Sequence, residues 1–163
     1  MIPAPTDRLC FREMTEADLP DIATLDIAAS RGPAGWIAWT RRNYVEHGFG
    51  LWVVETHAGE FVGDCGLTMQ EVEGAWFVEA GWHVRPELRC QGYATEAAGA
   101  VREAARSAGV GHLIAIIRPD NIASQRVAAN IGLVLERKIV KLGGPALVFG
   151  ADLGSDEGQT SAS

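Results

Sequence analysis

The stretch RCQGYATEA, residues 89–97, joins two unlike segments, and its reading decides the fold. Before it runs WFVEAGWHV (76–84), a largely apolar run of β-forming residues; after it the chain becomes alanine-rich at helical spacing. A strand that ends in a glycine turn and passes straight into a helix leaves the first N–H groups of that helix without intrahelical partners. Those donors and the positive end of the helix dipole favour an anion such as a diphosphate. Taken alone, the loop has a second reading, in which Gly92 simply makes a tight strand-to-helix turn. No Gly-Lys-Ser/Thr follows and the glycines of GxGxxG are missing, which disfavours a nucleotide triphosphatase or a dinucleotide enzyme.

Working outward, a helix is expected over Tyr93–Ser107, with Ala94, Ala97, Ala98, Val101, Ala105 and Ala108 on one stripe and Glu96, Arg102, Glu103 and Arg106 facing away. So small a packing face lets the helix lie close to a sheet. HLIAIIR (112–118) is the next strand, and the helical crossover is long enough for it to run parallel to WFVEAGWHV. A ligand is expected at the carboxyl ends of these two strands. Upstream, LWVVET (51–56), FVGDCGLTM (61–69) and WFVEAGWHV, joined by HAGE and EVEGA, make an antiparallel meander. Further back lie a first strand, LCFREM (9–14), and a helix over residues 15–30 with Thr15 as its N-cap. After a break at RGPAG (31–35) comes a second helix over 35–48, stopped by Gly48. Downstream come a short helix, NIASQRVAANIG (121–132), and strands LVLERKIVK (133–141) and ALVFGADL (146–153). The order predicts an α+β architecture, a mixed sheet with helices packed on it. Residues 1–153 are read as one domain and the small polar stretch 154–163 as a disordered tail.

Composition narrows the function. The chain has 163 residues, 47% apolar and 21% charged, enough for a core without staples. A net charge of −7 repels a polyanion, and the Arg41–Arg42 pair does not make a basic patch, so no nucleic-acid partner is expected. Cys10, Cys65 and Cys90 are odd in number and without CxxC spacing, which predicts reduced thiols and a cytoplasmic protein. His47, His57, His83 and His112 are scattered, and no metal site is expected. Neither a signal peptide nor a membrane-spanning run is visible in the sequence. Monomer and homodimer are both left open.

Residues Arg89, Cys90, Gln91, Gly92, Tyr93 and Ala94 fit the Q/R-x-x-G-x-G/A signature of the GNAT acetyltransferases. The chain resembles their ribosomal-protein N-terminal acetyltransferase branch in three further places. GYATEA follows a hydrophobic-x-Pro turn (Val84, Arg85, Pro86), an N-x-x-S helix carries Asn121 and Ser124 and ends at Gly132 and Leu133, and RLCFREMTEADL opens the chain. The resemblance covers residues 8–153. It implies a GNAT-like, mostly antiparallel sheet of about seven strands, helices on both faces, and a splay between the fourth and fifth strands. It also implies acetyl-CoA as donor, its pyrophosphate on the amides from Cys90 to Ala94. The implied coenzyme contacts are Trp82, His83, Val84, Arg89, Cys90, Gln91, Gly92, Tyr93, Ala94, Thr95, Asn121 and Ser124. The acceptor is an amine-bearing small molecule or a protein N-terminus.

Direct acyl transfer needs a neutral amine, and an α-amine of pKa near 8 is about a tenth neutral at pH 7 against roughly one in 2,500 for a lysine. Strict alternation puts Glu79 on one strand face with Gly81 and His83, which makes it the leading base, directly or through water. The other reading is a glutamate paired across the sheet. His83 has a suitable intrinsic pKa, has no support from the resemblance, and ranks second. The family pattern implies an oxyanion-binding amide near Val84. Many members carry a tyrosine, the usual donor to the thiolate, where this chain has Ala128; the resemblance points to Ser124 instead, with an ordinary first-turn residue as the alternative. Asn121 is an N-cap, a pantetheine contact, or both. Cys90 is read as a tolerated side chain rather than an acyl carrier, strained if its φ is positive. Gly81 marks a bulge or close approach, or packs beneath a tryptophan. The acceptor wall is expected from residues 31–47 and 143–145, with Trp36 and Trp39 lining it or packed in the core. These residues predict an acetyl-CoA-dependent N-acetyltransferase; the alternative is an acyl-CoA-binding sensor that has lost efficient transfer.

Overall fold

A computed structural model describes residues 1–27 and 31–154. The expected tail falls almost wholly on residues 155–163, outside the described part. The strands are β1 (Leu9–Arg12), β2 (Leu51–Thr56), β3 (Phe61–Val72), β4 (Ala75–Val84), β5 (His112–Ile117), β6 (Val134–Lys141) and β7 (Gly144–Asp152). They form one sheet in the order β1-β2-β3-β4-β5-β7-β6, antiparallel throughout except for the β4–β5 pair. The helices are α1 (Leu19–Ile22), α2 (Gly32–His47), α3 (Tyr93–Ser107) and α4 (Ile122–Asn130).

Alternation along the strands divides the core in two. Trp52, Val54, Cys65, Leu67, Ala80, Leu113 and Ala115 face the alanine stripe of α3. Leu51, Val53 and Phe61 face Ile22, Trp36 and Ile37 from the α1–α2 side. Helices therefore cover both faces. On α3, Ala97, Ala98, Val101 and Ala105 are buried as the stripe requires. Glu96 departs from the expectation that it faces away: its carboxylate turns back to the start of the chain.

Two of the expected helix boundaries change. In the described part of the helix expected over 15–30, the chain forms a single 3-10 turn, Glu16–Asp18, followed by the four residues of α1; residues 28–30 lie outside the described part. Thr15 stands at its start as expected, and the Asp18 carboxylate accepts from the Thr15 amide at 2.7 Å. Asp18 is then gripped by both terminal nitrogens of Arg12, at 2.9 and 2.6 Å, which fastens the turn to β1. RGPAG, read as a break, is the start of α2, with Pro33 in its first turn, where the missing N–H costs nothing. Gly48 ends α2 in the left-handed region, φ 73°.

The β3–β4 hairpin sets the register on which the site depends. Its connection is the two residues Glu73 and Gly74, with φ of 49° and 84°, the sign pattern of a type I′ turn. From there the pairing runs unbroken to Gly63–Val84 and sets Thr68 opposite Glu79, Gly66 opposite Gly81, and Asp64 opposite His83. β6 and β7 are likewise joined by two residues, Leu142 and Gly143. The acceptor wall expected from 143–145 falls on the second residue of this connection and the first two of β7.

Candidate active site

The parallel pair β4–β5 is the gap in an otherwise continuous sheet. Backbone pairing joins only Val78 to Leu113 and Glu79 to Ile114. Beyond these the strands part, as a splay between the fourth and fifth strands requires. The opening frees the amide of Ile116, and the Glu79 carboxylate crosses the gap to accept from it at 3.1 Å, while the Thr68 hydroxyl approaches the other oxygen at 3.4 Å. Burial pushes Glu79 from its ordinary 4.5 up to about 7, against the Ile116 amide, the charge of Lys141, the Thr68 hydroxyl and His83, which all favour the anion. A carboxyl group poised there exchanges a proton near neutral pH. Glu79 thus faces Thr68 across the sheet and reaches Ile116 over the gap between β4 and β5.

Gly81 is neither a bulge nor a point of close backbone approach. Register is continuous through it, and a Cβ built there would meet only Leu51 Cδ2, at 3.7 Å. Gly66 and Gly63 on β3 are crowded instead: a Cβ there would fall 2.0 Å from the Gly50 carbonyl oxygen and 1.9 Å from that of His83. On the α2 side Gly81 stands midway between Glu79 and His83 on one strand face. Four residue steps set the Cα positions of those two about 13 Å apart.

Trp82, Val84 and Tyr93 pack with the α3-side cluster, whereas the His83 ring points to the other face. His83, placed among the coenzyme contacts by sequence, turns its ring toward Trp36 and Asp64. Its Nδ1 lies 2.7 Å from Asp64 Oδ1, and Asp64 Oδ2 accepts from the Trp36 indole N–H at 2.8 Å. Trp36 also meets the imidazole edge-on, with ring centroids 5.5 Å apart. Trp36 is thus a core residue with a polar tip aimed at the site, and Trp39 tilts against it at 5.3 Å. Burial lowers the His83 pKa, but the charge and hydrogen bond of Asp64 and the charges of Glu79 and Asp26 outweigh it and hold the imidazole above its ordinary range.

On the opposite face, the loop before α3 leaves a run of main-chain donors unpaired. Cys90 and Gly92 take positive φ, 62° and 81°, and the first helical bond is Glu96 N–H to the Gly92 carbonyl at 3.1 Å. Among the described residues, the amides from Cys90 to Thr95 enter no hydrogen bond. Consecutive free amides at the start of a long helix fit a pyrophosphate. The strain expected at Cys90 is present, since a cysteine there holds a left-handed conformation. Arg89 Nε donates to the Val84 carbonyl at 3.1 Å and ties the loop to the end of β4.

Arg8, which sequence reasoning did not select, buttresses this loop. It donates to the Gln91 carbonyl at 2.9 Å and to Glu96 at 2.8 Å, and its guanidinium lies 4.3 Å over the Tyr93 ring. Thr6 also donates to Glu96, at 2.5 Å. These contacts cross more than eighty residues, and only the apposition of β1 with the start of α3 could have revealed them.

Asn121 is the N-cap of α4: its side-chain oxygen accepts from the Ser124 amide at 3.1 Å. The Ser124 hydroxyl plays no part in that cap. Asn130 on α4 reaches Thr95 on α3 at 3.4 Å, so the two helices that flank the donor side are linked. Ala128 is fully buried, in the position where a tyrosine would have to displace core. Among the described residues no cluster of three or more His, Cys, Asp or Glu side chains is arranged for a metal, and no helix is long and apolar enough to cross a membrane.

Comparison with known proteins agrees with this arrangement. A Bacillus subtilis (strain 168) protein, YkkB, itself uncharacterized, is 32% identical over 158 residues, 88% of this chain and 92% of its own length. An acetyltransferase from Agrobacterium tumefaciens str. C58 superposes with a TM-score of 0.79 at 24% identity, over 93% of this chain and 94% of that one. RimL, a ribosomal L7/L12 α-N-protein acetyltransferase solved with coenzyme A, superposes with a TM-score of 0.72 at 15% identity, over 93% and 98%. Residues 8–134 match the acetyltransferase (GNAT) domain family, and with its splayed sheet and free-amide loop the chain belongs to that family.

Proposed function

We propose that the protein transfers an acetyl group from acetyl-CoA directly to a primary amine, on a small molecule or at a protein N-terminus. The observation that carries the reading is the pairing of a donor cradle with a titrating group across one splay. Free amides from Cys90 to Thr95 lie on the α3 side, and Glu79, held near neutrality, lies between the parting strands. Coenzyme A in RimL, a fold relative, supports acetyl-CoA as the donor. When bound, that donor supplies an activated thioester carbonyl. The residues present fit it: the loop amides receive the pyrophosphate, and Asn121 and Ser124 lie at the start of α4.

The chain's own groups then divide the work. The amide near Val84 donates to the developing oxyanion. Glu79 takes the proton released as the amine attacks, and the Ser124 hydroxyl donates to the departing sulfur. Glu79, Asp26 and Asp64 give the α2-side approach an anionic character that suits a cationic acceptor. A thiol-release assay over N-terminal peptides, small alkylamines and aminoglycosides tests the reading. Saturable acetyl-CoA binding with no release over any acceptor would replace it with an acyl-CoA sensor.

A further inference from the structure

Among the described residues, Asp64, Trp36 and His83 form a polar constellation that packing alone does not require. Asp64 is a carboxylate with 0% of its side chain exposed, in the middle of a β-strand, in a face otherwise lined by Leu51, Val53 and Phe61. Burying such a group is costly unless both oxygens are satisfied. Both are: Oδ2 by an indole N–H, which can only donate, and Oδ1 by His83 Nδ1. A carboxylate accepts only, so Nδ1 must carry a proton. The tautomer follows: neutral His83 presents a bare Nε2.

We infer that His83, aligned by Asp64 and Trp36, is a second catalytic base, whose Nε2 removes the proton that the acceptor brings as an ammonium ion. The inference rests on the amine-acetylating function proposed above and assigns it a proton path. An acceptor arrives as R–NH3+ and must lose one proton before attack and a second during it. The first passes from nitrogen to His83 Nε2, making an imidazolium whose charge Asp64 balances, and then to water. The freed amine lone pair forms the C–N bond as the C–S bond breaks. The second proton goes to Glu79, and sulfur receives one from Ser124, which regains it from solvent.

Three observations place His83 in this role. It shares a strand face with Glu79, on the far side of Gly81, a position without a side chain that Leu51 borders. Its side chain is 31% exposed, enough to pass a proton to water, whereas its carboxylate partner is sealed. The charged groups facing it are Asp64 from β3, Glu79 from β4 and Asp26 from the segment before α2, with Trp36 contributed by α2; all three charges are anionic and favour a cationic guest. Asp64 and Trp36 touch no substrate in this scheme and are positioning residues.

The test uses the purified full chain with acetyl-CoA and two acceptors, an N-terminal peptide of amine pKa near 8 and an alkylamine near 10.4. At pH 7 His83→Gln should lower kcat/KM on both acceptors, by on the order of 10²-fold, and more on the alkylamine, whose attack depends most on proton removal. The loss should shrink as pH rises toward the pKa of each amine, with coenzyme A affinity unchanged. Asp64→Asn should shift the same pH profile, and two-bond proton–nitrogen spectra should show its His83 proton moved from Nδ1 to Nε2. An equal loss on both acceptors with an unaltered pH profile would overturn the inference while leaving the transferase intact. So would a wild-type spectrum in which neutral His83 carries its proton on Nε2, whatever the variants do. A wild-type protein that binds coenzyme A and acetylates neither amine would overturn the functional reading itself.

Discussion

Replacing Glu79 by glutamine should make the protein more stable, and by an amount that depends on pH. Glutamine keeps an oxygen to accept from the Ile116 amide and can still meet Thr68, so the strand-to-strand link survives. What it removes is the cost of ionising a buried acid. The folded-state pKa is raised from 4.5 to about 7, so the stability tied to the protonated form is complete below pH 4.5 and is lost as pH rises through 7. At 1.36 kcal/mol per unit, the full difference is about 3 kcal/mol above pH 7 and close to zero at pH 4.5. For a domain of this size that corresponds to roughly 6–12 °C in melting temperature. Urea unfolding of both proteins at pH 4.5, 6 and 8, without coenzyme so that ligand linkage does not intrude, reads the difference directly. A stability gap that is the same at all three pH values, or a variant weaker than wild type at pH 8, would refute the argument that burial sets the Glu79 proton affinity.

Other consequences can be measured as simply. Cys90→Gly removes a left-handed β-carbon worth about 1–2 kcal/mol and adds about 0.5–1 kcal/mol of glycine backbone entropy, so its melting temperature should stay level or rise slightly; a drop of several degrees would contradict the strained conformation. Arg8→Ala severs the contacts to Gln91, Glu96 and Tyr93, and calorimetry should show coenzyme A binding weakened roughly tenfold, about 1.4 kcal/mol, with little change for acceptors. Ser124→Ala leaves the Asn121 cap in place and should lower kcat with KM for acetyl-CoA unchanged, most of all under single-turnover conditions; an undiminished rate would return Ser124 to an ordinary helix residue.

How far the chain could be read in advance depended on how far apart the interacting residues stood. The meander, the crossover helix over Tyr93–Ser107 and the Asn121 cap rest on neighbours within a few positions, and their elements appear with small boundary shifts. The short α1 and the early start of α2 were obscured because Pro20 and Pro33 initiate helices here, where a proline suggests an interruption. Gly81 attracted attention as the conspicuous strand glycine, yet Gly63 and Gly66 are the ones pressed against backbone, by the tertiary approach of His83 and Gly50. Asp64 went unselected for a similar reason. Its partners lie 19 and 28 residues away, but one clue was within reach. Had EVEGA been read as a two-residue turn at Glu73–Gly74, counting outward would have set Asp64 opposite His83 and Thr68 opposite Glu79. Arg8 had no such clue, because the bond to Glu96 joins segments 88 residues apart.

The indole of Trp36 has a bearing on how this enzyme can diversify. α2 is the element expected to shape the acceptor side, so selection for new acceptors falls on it. The same helix supplies the hydrogen bond that keeps Asp64 satisfied beneath His83. A lineage is therefore free to vary the outward positions of α2, such as Ala38, Arg41 and Val45, but a change that moves its axis disturbs the imidazole as well as the guest. Acceptor choice and proton affinity drift together along that route. The cheaper evolutionary path to a new acceptor runs through side chains on a fixed helix, with the tryptophan retained.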